Sequence, residues 1–357
     1  MSRLGDRALG VAVGLVLDRL LGEPPDRLHP VAWFGTAMQR VEQVLYADSR
    51  PRGTWHAALG VGLGVTAGGV LRRSTGARGS QGEVLSTAVA VWLASAGRLL
   101  RDTAGQIEDH LRRDDLTMAR ERLPWLAGRD PSELDASGVA AAVVESLAEN
   151  TVDAVLAPAF WGLVGGAPGA LAHRASNTLD AMVGHHSVRY ERYGWASARL
   201  DDVLAWAPAR AFPVLLAGCT PRRARQVVAT VRRDAGAHPS PNAGVAESAL
   251  AGALGVKLGG PLRYGERTED RPRLGDGPRP RTREVTRARV LVDRVELAAV
   301  GLCLLTWWAD RRTGRRGPGD PPVRLDHPSY GTIPATNAFR VHPHLRQRRR
   351  DVAVRPR

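Results

Sequence analysis

Long uncharged runs alternate with charged stretches along this chain, and the length of the runs predicts helices that cross a membrane. Residues 53–71 carry no formal charge, and a helix of that length spans roughly 28 Å, close to the hydrocarbon thickness of a bilayer. Gly60, Gly64 and Gly68 recur there at every fourth position, a small-residue stripe that lets membrane helices approach closely. The other apolar runs cover residues 8–17, 84–97, 154–172 and 297–309. The pattern predicts an all-α, multi-pass helical membrane protein with about four to six membrane segments.

The run at 154–172 differs from the others because it is interrupted by prolines and glycines. These residues are Pro158, Gly162, Gly165, Gly166, Pro168 and Gly169. Inside a membrane segment they are tolerated where the backbone packs on protein or lines a cavity. We therefore expect a broken or re-entrant helix, with acidic residues 145–153 before it and Asn177 with Asp180 after it.

The charged stretches predict the polar parts of the fold. Residues 101–137 are highly charged and amphipathic, which indicates a water-exposed helical hairpin. Residues 22–30 contain three prolines, which fix the backbone and predict a rigid loop. Residues 266–289 are charged and rich in proline, and we interpret them as another loop.

The amino-acid composition predicts a separate tail at the C-terminal end of the chain. The formal net charge is +14, and residues 311–357, with twelve Arg and three Asp, supply +9 of it. That segment is rich in Pro and Gly and lacks apolar periodicity, so it should not form a core. We predict a helical membrane domain at 1–310 and a basic, flexible tail at 311–357. A nucleic-acid partner is not expected, because the tail lacks interleaved aromatic residues.

Carboxylates on the acidic segment before the broken run are the first candidate for chemistry. Glu145, Glu149 and Asp153 are spaced at i, i+4 and i+8, so a helix would place them on one face, where like charges repel by roughly 0.2–0.5 kcal/mol per pair. Such a face needs a cation, either Mg²⁺ or an arginine such as Arg199. A solvated acidic helix face is the alternative interpretation.

Polar residues after the broken run form a second candidate cluster. Asn177 and Asp180 are one helical turn apart and should face the same way. Asp202 and Arg210 are spaced for one helix face, which is also typical of a solvated surface. The adjacent residues Asp201 and Asp202 are not expected to face the same way.

Five segments of the chain carry a resemblance to a known family. They read LDRLLGEPPDRLHPVAWFG from Leu17, AENTVDAVLAPAFW from Ala148, GGAPGALAHRASNTLDAMVG from Gly165, RYERYGWASARLDDVLAWAPAR from Arg189 and SPNAGVAESALAGALGVKLGGPLRY from Ser240. In this order they resemble the CobD/CbiB family of cobalamin biosynthesis proteins, over about residues 17–308. Val245 and Ala246 stand where the family usually carries bulkier residues, which affects local packing more than activity.

The resemblance implies an adenosylcobinamide-phosphate synthase in the cell (inner) membrane. Such an enzyme joins a carboxylate of adenosylcobyric acid to the amino group of aminopropanol or its phosphate, driven by ATP. Other membrane enzymes of the cobalamin pathway are implied as partners. Amide formation at neutral pH needs the carboxylate oxygen turned into a leaving group, usually as an acyl phosphate, and Mg²⁺ is then expected to shield the phosphates.

This reaction suggests a role for each candidate residue. Glu149 and Asp153 are expected to hold Mg²⁺, and Asp202 or Glu145 to act as the base. Arginines suit phosphate and carboxylate groups, so Arg199 and Arg210 are assigned to phosphate. The remaining substrate-binding candidates, which would orient amide, hydroxyl or phosphate groups, are Asn150, Asn177, Asp180 and Asn242.

A transporter or channel is the alternative function. Acidic residues within membrane segments are expected in such proteins as well. The sequence contains no Walker-type phosphate loop, so an ATP site is not located by a motif.

Overall fold

The fold is almost entirely helical, as the apolar pattern predicts. A computed structural model describes residues 2–76, 79–128, 130–185, 187–264 and 267–314. The helices before the broken run are α1 (Arg3–Leu21), α2 (Pro30–Leu45), α3 (Arg50–Ser74), α4 (Ser80–Ala94), α5 (Gly97–Arg112), α6 (Leu116–Arg122) and α7 (Ala136–Thr151). Those that follow are α8 (Ala157–Leu179), α9 (Trp195–Cys219), α10 (Ala224–Asp234), α11 (Ala243–Leu254) and α12 (Thr282–Gly314).

Four helical segments in the described part of the chain are long and apolar enough to cross a membrane. They cover Arg50–Ser74, Ser80–Arg112, Ala136–Gly184 and Trp195–Cys219. The prediction of a multi-pass helical protein is confirmed. Leu4 and Leu20 on α1, and Leu297 and Leu305 on α12, also expose large apolar side chains, so further apolar surface lies on these two packed helices.

The broken run forms a hairpin of two helical arms within α8. Gly166 has φ 63° and ψ −149°, well outside helical values, and only glycine adopts a positive φ of this kind without a steric penalty. Gly169 on the second arm lies so close to the first that a Cβ there would stand 2.3 Å from the Trp161 carbonyl oxygen. The chain therefore reverses at Gly166, which confirms the expected broken helix.

The glycine stripe on α3 packs along the second arm of this hairpin. Gly60 contacts Leu179, Gly64 contacts Leu171, and Gly68 contacts Pro168 beside the reversal. All three glycines are buried. The absence of side chains lets the two backbones approach closely, which is the packing that the stripe predicts.

The prediction of a loop at 266–289 is wrong in part. Residues 266–289 include β2 (Arg267–Leu274), which pairs antiparallel with β1 (Leu258–Tyr264), and the start of α12. The predicted domain boundary at residue 310 falls within α12, which continues to Gly314. The charge and proline content of this segment obscured β2 and the start of α12, because β2 is polar and α12 begins with an arginine-rich turn.

The hairpin of α5 and α6 is less exposed than predicted. Ile107 and Leu111 on α5 are buried, and Glu108 is buried in an ion pair 2.7 Å from Arg289 of α12. Pairing compensates for the cost of removing this carboxylate from water. One face of α5 therefore belongs to the core, against α7 and α12. The predicted tail, apart from the last turn of α12, lies outside the described residues.

Candidate functional site

A small acidic cavity lies where the turn after α7, the end of α8, the first half of α9 and the start of α11 meet. Its volume is about 180 Å³. Its lining includes five carboxylate side chains, namely Glu149, Asp153, Asp180, Asp201 and Asp202. Ser240 and Asn242 complete its polar lining. We call this the acidic cavity.

The hairpin in α8 explains why residues far apart in sequence meet here. Asp153 precedes the first arm and Asp180 follows the second, so the reversal at Gly166 returns the chain to its starting level. Both acids lie in π-helical turns, Val152–Leu156 and Asp180–Gly184. A π-helical turn changes the direction of the side chains that follow and is common at functional sites.

Asn177 lies beside two of the acids. Its side-chain amide is near both Asp153 and Asp201, so a residue of α8 lies between the turn after α7 and α9. Asp201 is only 8% exposed, and its Oδ1 atom has no hydrogen-bond partner among the described residues. A buried carboxylate oxygen without a partner is costly, and in a cavity of acids it is available to a proton or a cation.

Arg210 and Asn242 form the basic edge of the site. The Arg210 guanidinium donates to Asn242 Oδ1 at 2.7 Å and lies over the Trp206 ring, 4.7 Å from its centroid. Asn242 Nδ2 in turn donates to the Asp202 carbonyl oxygen at 2.8 Å. Asn242 thus ties the start of α11 to α9 and holds the arginine beside the acidic cavity.

Three predicted site residues lie elsewhere. Glu145 is buried and accepts a hydrogen bond from the Gly259 amide at 2.8 Å. Asn150 donates to the Ser146 carbonyl and hydroxyl oxygens at 3.0 and 2.8 Å. Arg199 has a side chain that is 67% exposed and lies 4.0 Å from Asp202.

The prediction of a single carboxylate face is therefore correct for Glu149 and Asp153, and wrong for Glu145. Glu149 and Asp153 line the acidic cavity, whereas the Glu145 carboxylate holds the start of β1. Glu145 and Glu149 are one turn apart within the regular helix α7, so the two carboxylates differ in what their turns of α7 contact and not in helical spacing. Glu145 as an alternative base has no support in this geometry, because its carboxylate is engaged by backbone outside the lining.

Asp201 is the residue that sequence reasoning missed. Adjacent helical residues point about 100° apart, so only one of Asp201 and Asp202 was expected to face a site. Both line the cavity, because it extends around α9 between α8 and α11. The paired acids in LDD were the available signal.

The oxygen donors of the acidic cavity suit a hard cation. Mg²⁺ prefers carboxylate oxygens, usually one or two together with water and substrate phosphate. Within the described ranges, no group of three or more His, Cys, Asp or Glu side chains is arranged to hold a metal by itself. The carboxylates that could serve as one or two ligands of such an ion are those that line the cavity.

Comparison with known proteins identifies the family. The model of the CobD/Cbib protein family matches residues 11–292. The chain belongs to the CobD/Cbib family. A cobalamin biosynthesis protein CobD of Mycobacterium tuberculosis is 46% identical over 302 residues, covering 84% of this chain and 95% of that protein.

Two further relatives support the same family assignment. A cobalamin biosynthesis protein CobD of Rhodobacter capsulatus is 39% identical, over 83% of this chain and 96% of its own length. One from Chromobacterium violaceum is 42% identical, over 80% and 92% respectively. No solved structure matches the chain. Membership supports a biosynthetic role in the cobalamin pathway, with corrinoid substrates and association with a membrane.

Proposed function

We propose that this CobD/Cbib protein is an adenosylcobinamide-phosphate synthase of the cell (inner) membrane. It would form an amide between a carboxylate of adenosylcobyric acid and the amine of aminopropanol or its O-phosphate, with ATP and Mg²⁺. Family membership supports the pathway. The acidic cavity beside an arginine supports a reaction that uses an amine and phosphate groups.

The five carboxylates around one small cavity are the observation that carries this proposal. An aminoalcohol is a cation at neutral pH, and carboxylates attract it. At about 180 Å³ the cavity is smaller than the roughly 300–1,000 Å³ typical of drug-sized ligands. It therefore suits the small amine, while the much larger corrinoid remains outside and presents only its reacting carboxylate.

Glu149 and Asp153 would hold Mg²⁺ on one side of the acidic cavity. Both side chains line it, and the side-chain amide of Asn177 lies beside the Asp153 carboxylate. Bound Mg²⁺ would offset negative charge on the phosphate oxygens. ATP supplies the free energy that turns the corrinoid carboxylate oxygen into a leaving group.

The bound ammonium group would first lose a proton to one of the cavity carboxylates, which exposes the nitrogen lone pair. Asp202 would then accept the second proton, which the nitrogen loses as it attacks the acyl carbon and phosphate leaves. It lines the cavity on α9, next to Asp201, whose unpartnered oxygen would help bind the ammonium form. Arg210 would bind a phosphate group, since a guanidinium matches phosphate geometry. Asn242 positions Arg210 through the 2.7 Å hydrogen bond.

The direct test is product formation by the full chain purified in detergent. Adenosylcobyric acid, aminopropanol phosphate, ATP and Mg²⁺ are supplied together, and the amide is detected by mass spectrometry. Omission of ATP, of Mg²⁺ or of the amine should each abolish the product. If folded protein yields no amide with either aminopropanol or its phosphate, the proposal fails.

A transporter is the alternative that the location of the acids favours, because Asp153, Asp180 and Asp201 lie on candidate membrane spans. Ion or amine flux into liposomes that contain the protein, without ATP-dependent amide formation, would support it. Amide formation in detergent without flux in liposomes would exclude it as the main function.

A comparison of Arg210→Gln with Arg199→Gln should show which of the two arginines, both assigned to phosphate from the sequence, binds the phosphate group. Loss of one charged hydrogen bond should raise KM for aminopropanol phosphate by about tenfold. Arg199→Gln should change it by less than about twofold, because an exposed ion pair contributes little. The measurement is steady-state kinetics of amide formation for both variants.

Unphosphorylated aminopropanol serves as the control substrate for this comparison. With it, Arg210→Gln should have little effect on KM if Arg210 binds the phosphate of the amine. Equal effects on both amines would assign Arg210 to another phosphate or to the corrinoid. Equal KM values for the two arginine variants with the phosphorylated amine would contradict the assignment.

A further inference from the structure

A second cleft lies where α9 ends, α10 begins and the first half of α12 passes. Its volume is about 530 Å³. Four arginines line it, namely Arg222, Arg223, Arg287 and Arg294, and we call it the arginine cleft. No carboxylate appears in its lining within the described part of the chain. The candidate residues of the acidic cavity are not among its lining either.

The arginines of this cleft are poorly neutralised. Arg222, Arg223 and Arg294 form no hydrogen bond or ion pair through their side chains with the residues that the structure describes. Arg287 lies 3.7 Å from Glu284, which also pairs with Arg283 at 2.7 Å. Four guanidinium groups around one cleft repel each other, and an anion bound between them would relieve that repulsion.

The chemistry of the arginines specifies the kind of anion. A guanidinium presents a planar set of donors that matches phosphate and carboxylate oxygens. Arginine clusters bind phosphate through short, charge-assisted hydrogen bonds. The first turn of α10, which lacks a side-chain cap, begins beside Arg223 and adds to the positive potential.

Apart from Thr220 and Thr286, the remaining lining is apolar, and it continues into an exposed stripe on α12. Val290 lines the cleft and is 45% exposed. Leu297, Leu304 and Trp308 are exposed as well, and their spacing from Arg294 places them on the same helix face. A ligand with a phosphate at one end and a hydrocarbon chain at the other would match the arginines and the stripe together.

The arginine cleft is remote from the acidic cavity. Asp202 of the cavity and Cys219 of the cleft lie on the same helix, α9, roughly 25 Å apart along it at about 1.5 Å per residue. A ligand in the cleft therefore does not belong to the reaction site. The inference that follows is independent of the proposed amide chemistry.

We propose that the arginine cleft binds the phosphate group of a ligand, with the apolar stripe on α12 favouring an anionic phospholipid over a soluble phosphate. Arg222, Arg223 and Arg294 hold the head group, and the acyl chains lie along Leu297 and Leu304. The site would fix the protein at the level of the lipid head groups, where basic clefts between helices bind acidic lipids.

The test compares two triple variants of the full chain in detergent. The cleft variant carries Arg222→Gln, Arg223→Gln and Arg294→Gln. The matched control removes the same charge from exposed arginines elsewhere, through Arg40→Gln, Arg52→Gln and Arg113→Gln. Phosphatidylglycerol, phosphatidylcholine, inorganic phosphate and ATP are the probes, and binding is followed by native mass spectrometry and by the shift in melting temperature.

We expect phosphatidylglycerol to bind the wild type and the control variant alike, and the cleft variant at least about tenfold more weakly. Phosphatidylcholine should not distinguish the proteins. Selective loss of ATP or inorganic phosphate binding in the cleft variant would support a phosphate site with a soluble source. Equal binding of every probe to wild type and cleft variant, or no binding to wild type, would overturn the proposal.

Discussion

Asp153→Asn is expected to lower the rate of amide formation by about 100-fold or more, within the range for loss of a group that acts in the transition state. The change removes one charge from the acidic cavity and keeps the shape of the side chain. Asp153 lies beside Glu149, Asp180 and the side-chain amide of Asn177. With one carboxylate fewer, Mg²⁺ should bind more weakly, so the Mg²⁺ concentration for half-maximal activity should rise about tenfold.

Asp109→Asn is the matched control, because Asp109 is an exposed acid on α5 outside the acidic cavity. It should leave both the rate and the Mg²⁺ dependence unchanged. The melting temperature of Asp153→Asn should be equal to that of the wild type or higher, since repulsion among the carboxylates falls. Full activity of Asp153→Asn at low Mg²⁺ would remove this residue from the proposed metal site.

Asp201→Asn gives an independent result on the same cavity. Its unpartnered oxygen is proposed to bind the ammonium group, so KM for the amine should rise while the Mg²⁺ dependence stays close to that of the wild type. A change in Mg²⁺ dependence without a change in KM for the amine would reassign Asp201 to the metal. The two variants therefore separate the two proposed parts of the site.

Gly68→Ala should destabilise the protein by about 1–3 kcal/mol, as expected for insertion of a methyl group into a packed interface. A Cβ at this position would stand 2.4 Å from the Pro168 Cα atom and 2.6 Å from the Ala167 carbonyl oxygen. Both atoms belong to the backbone at the reversal of α8, which cannot move without shifting the hairpin arms that carry Asp153 and Asp180. Activity should therefore fall together with stability.

Gly69→Ala is the neighbouring control on the same helix. A Cβ at Gly69 meets no atom within 4 Å, and alanine restricts the unfolded chain more than glycine does, so a gain in stability of roughly 0.4–1 kcal/mol is expected. The measurement is the thermal unfolding of both variants in the same detergent. Equal melting temperatures would mean that α3 does not pack tightly on the reversal.

Local sequence patterns were sufficient to predict the membrane helices. The uncharged run at 53–71 and its glycine stripe predicted α3 and its close packing. The prolines and glycines at 154–172 predicted a broken helix, and the structure places the break at Gly166. These features depend on the length and composition of one segment. The β1 and β2 pairing and the start of α12 were missed, because pairing between polar strands is not visible in either segment alone.

The candidate site was predictable only in part, because it also depends on contacts between segments that are far apart in the sequence. Glu149, Asp153, Asp180, Asp202 and Asn242 were all singled out from the sequence and all line one cavity. Asn177 lies beside Asp153 and Asp201 of this cavity. The same reasoning also included Glu145 and Asn150, whose side chains bind backbone or a neighbouring serine. Helical spacing identifies a face, but it does not say what that face contacts.

The sequence by itself determined that this is a helical membrane protein of the CobD/Cbib family, because apolar runs and ordered motifs are properties of the chain. The tertiary structure alone decided which polar residues share a cavity. The reversal at Gly166 and the two π-helical turns bring Asp153 and Asp180 together, and α9 adds Asp201. It also decided that two pairs of arginines from distant segments, Arg222 with Arg223 and Arg287 with Arg294, converge on a separate cleft. Such convergence depends on the packing of distant helices, which no local pattern encodes.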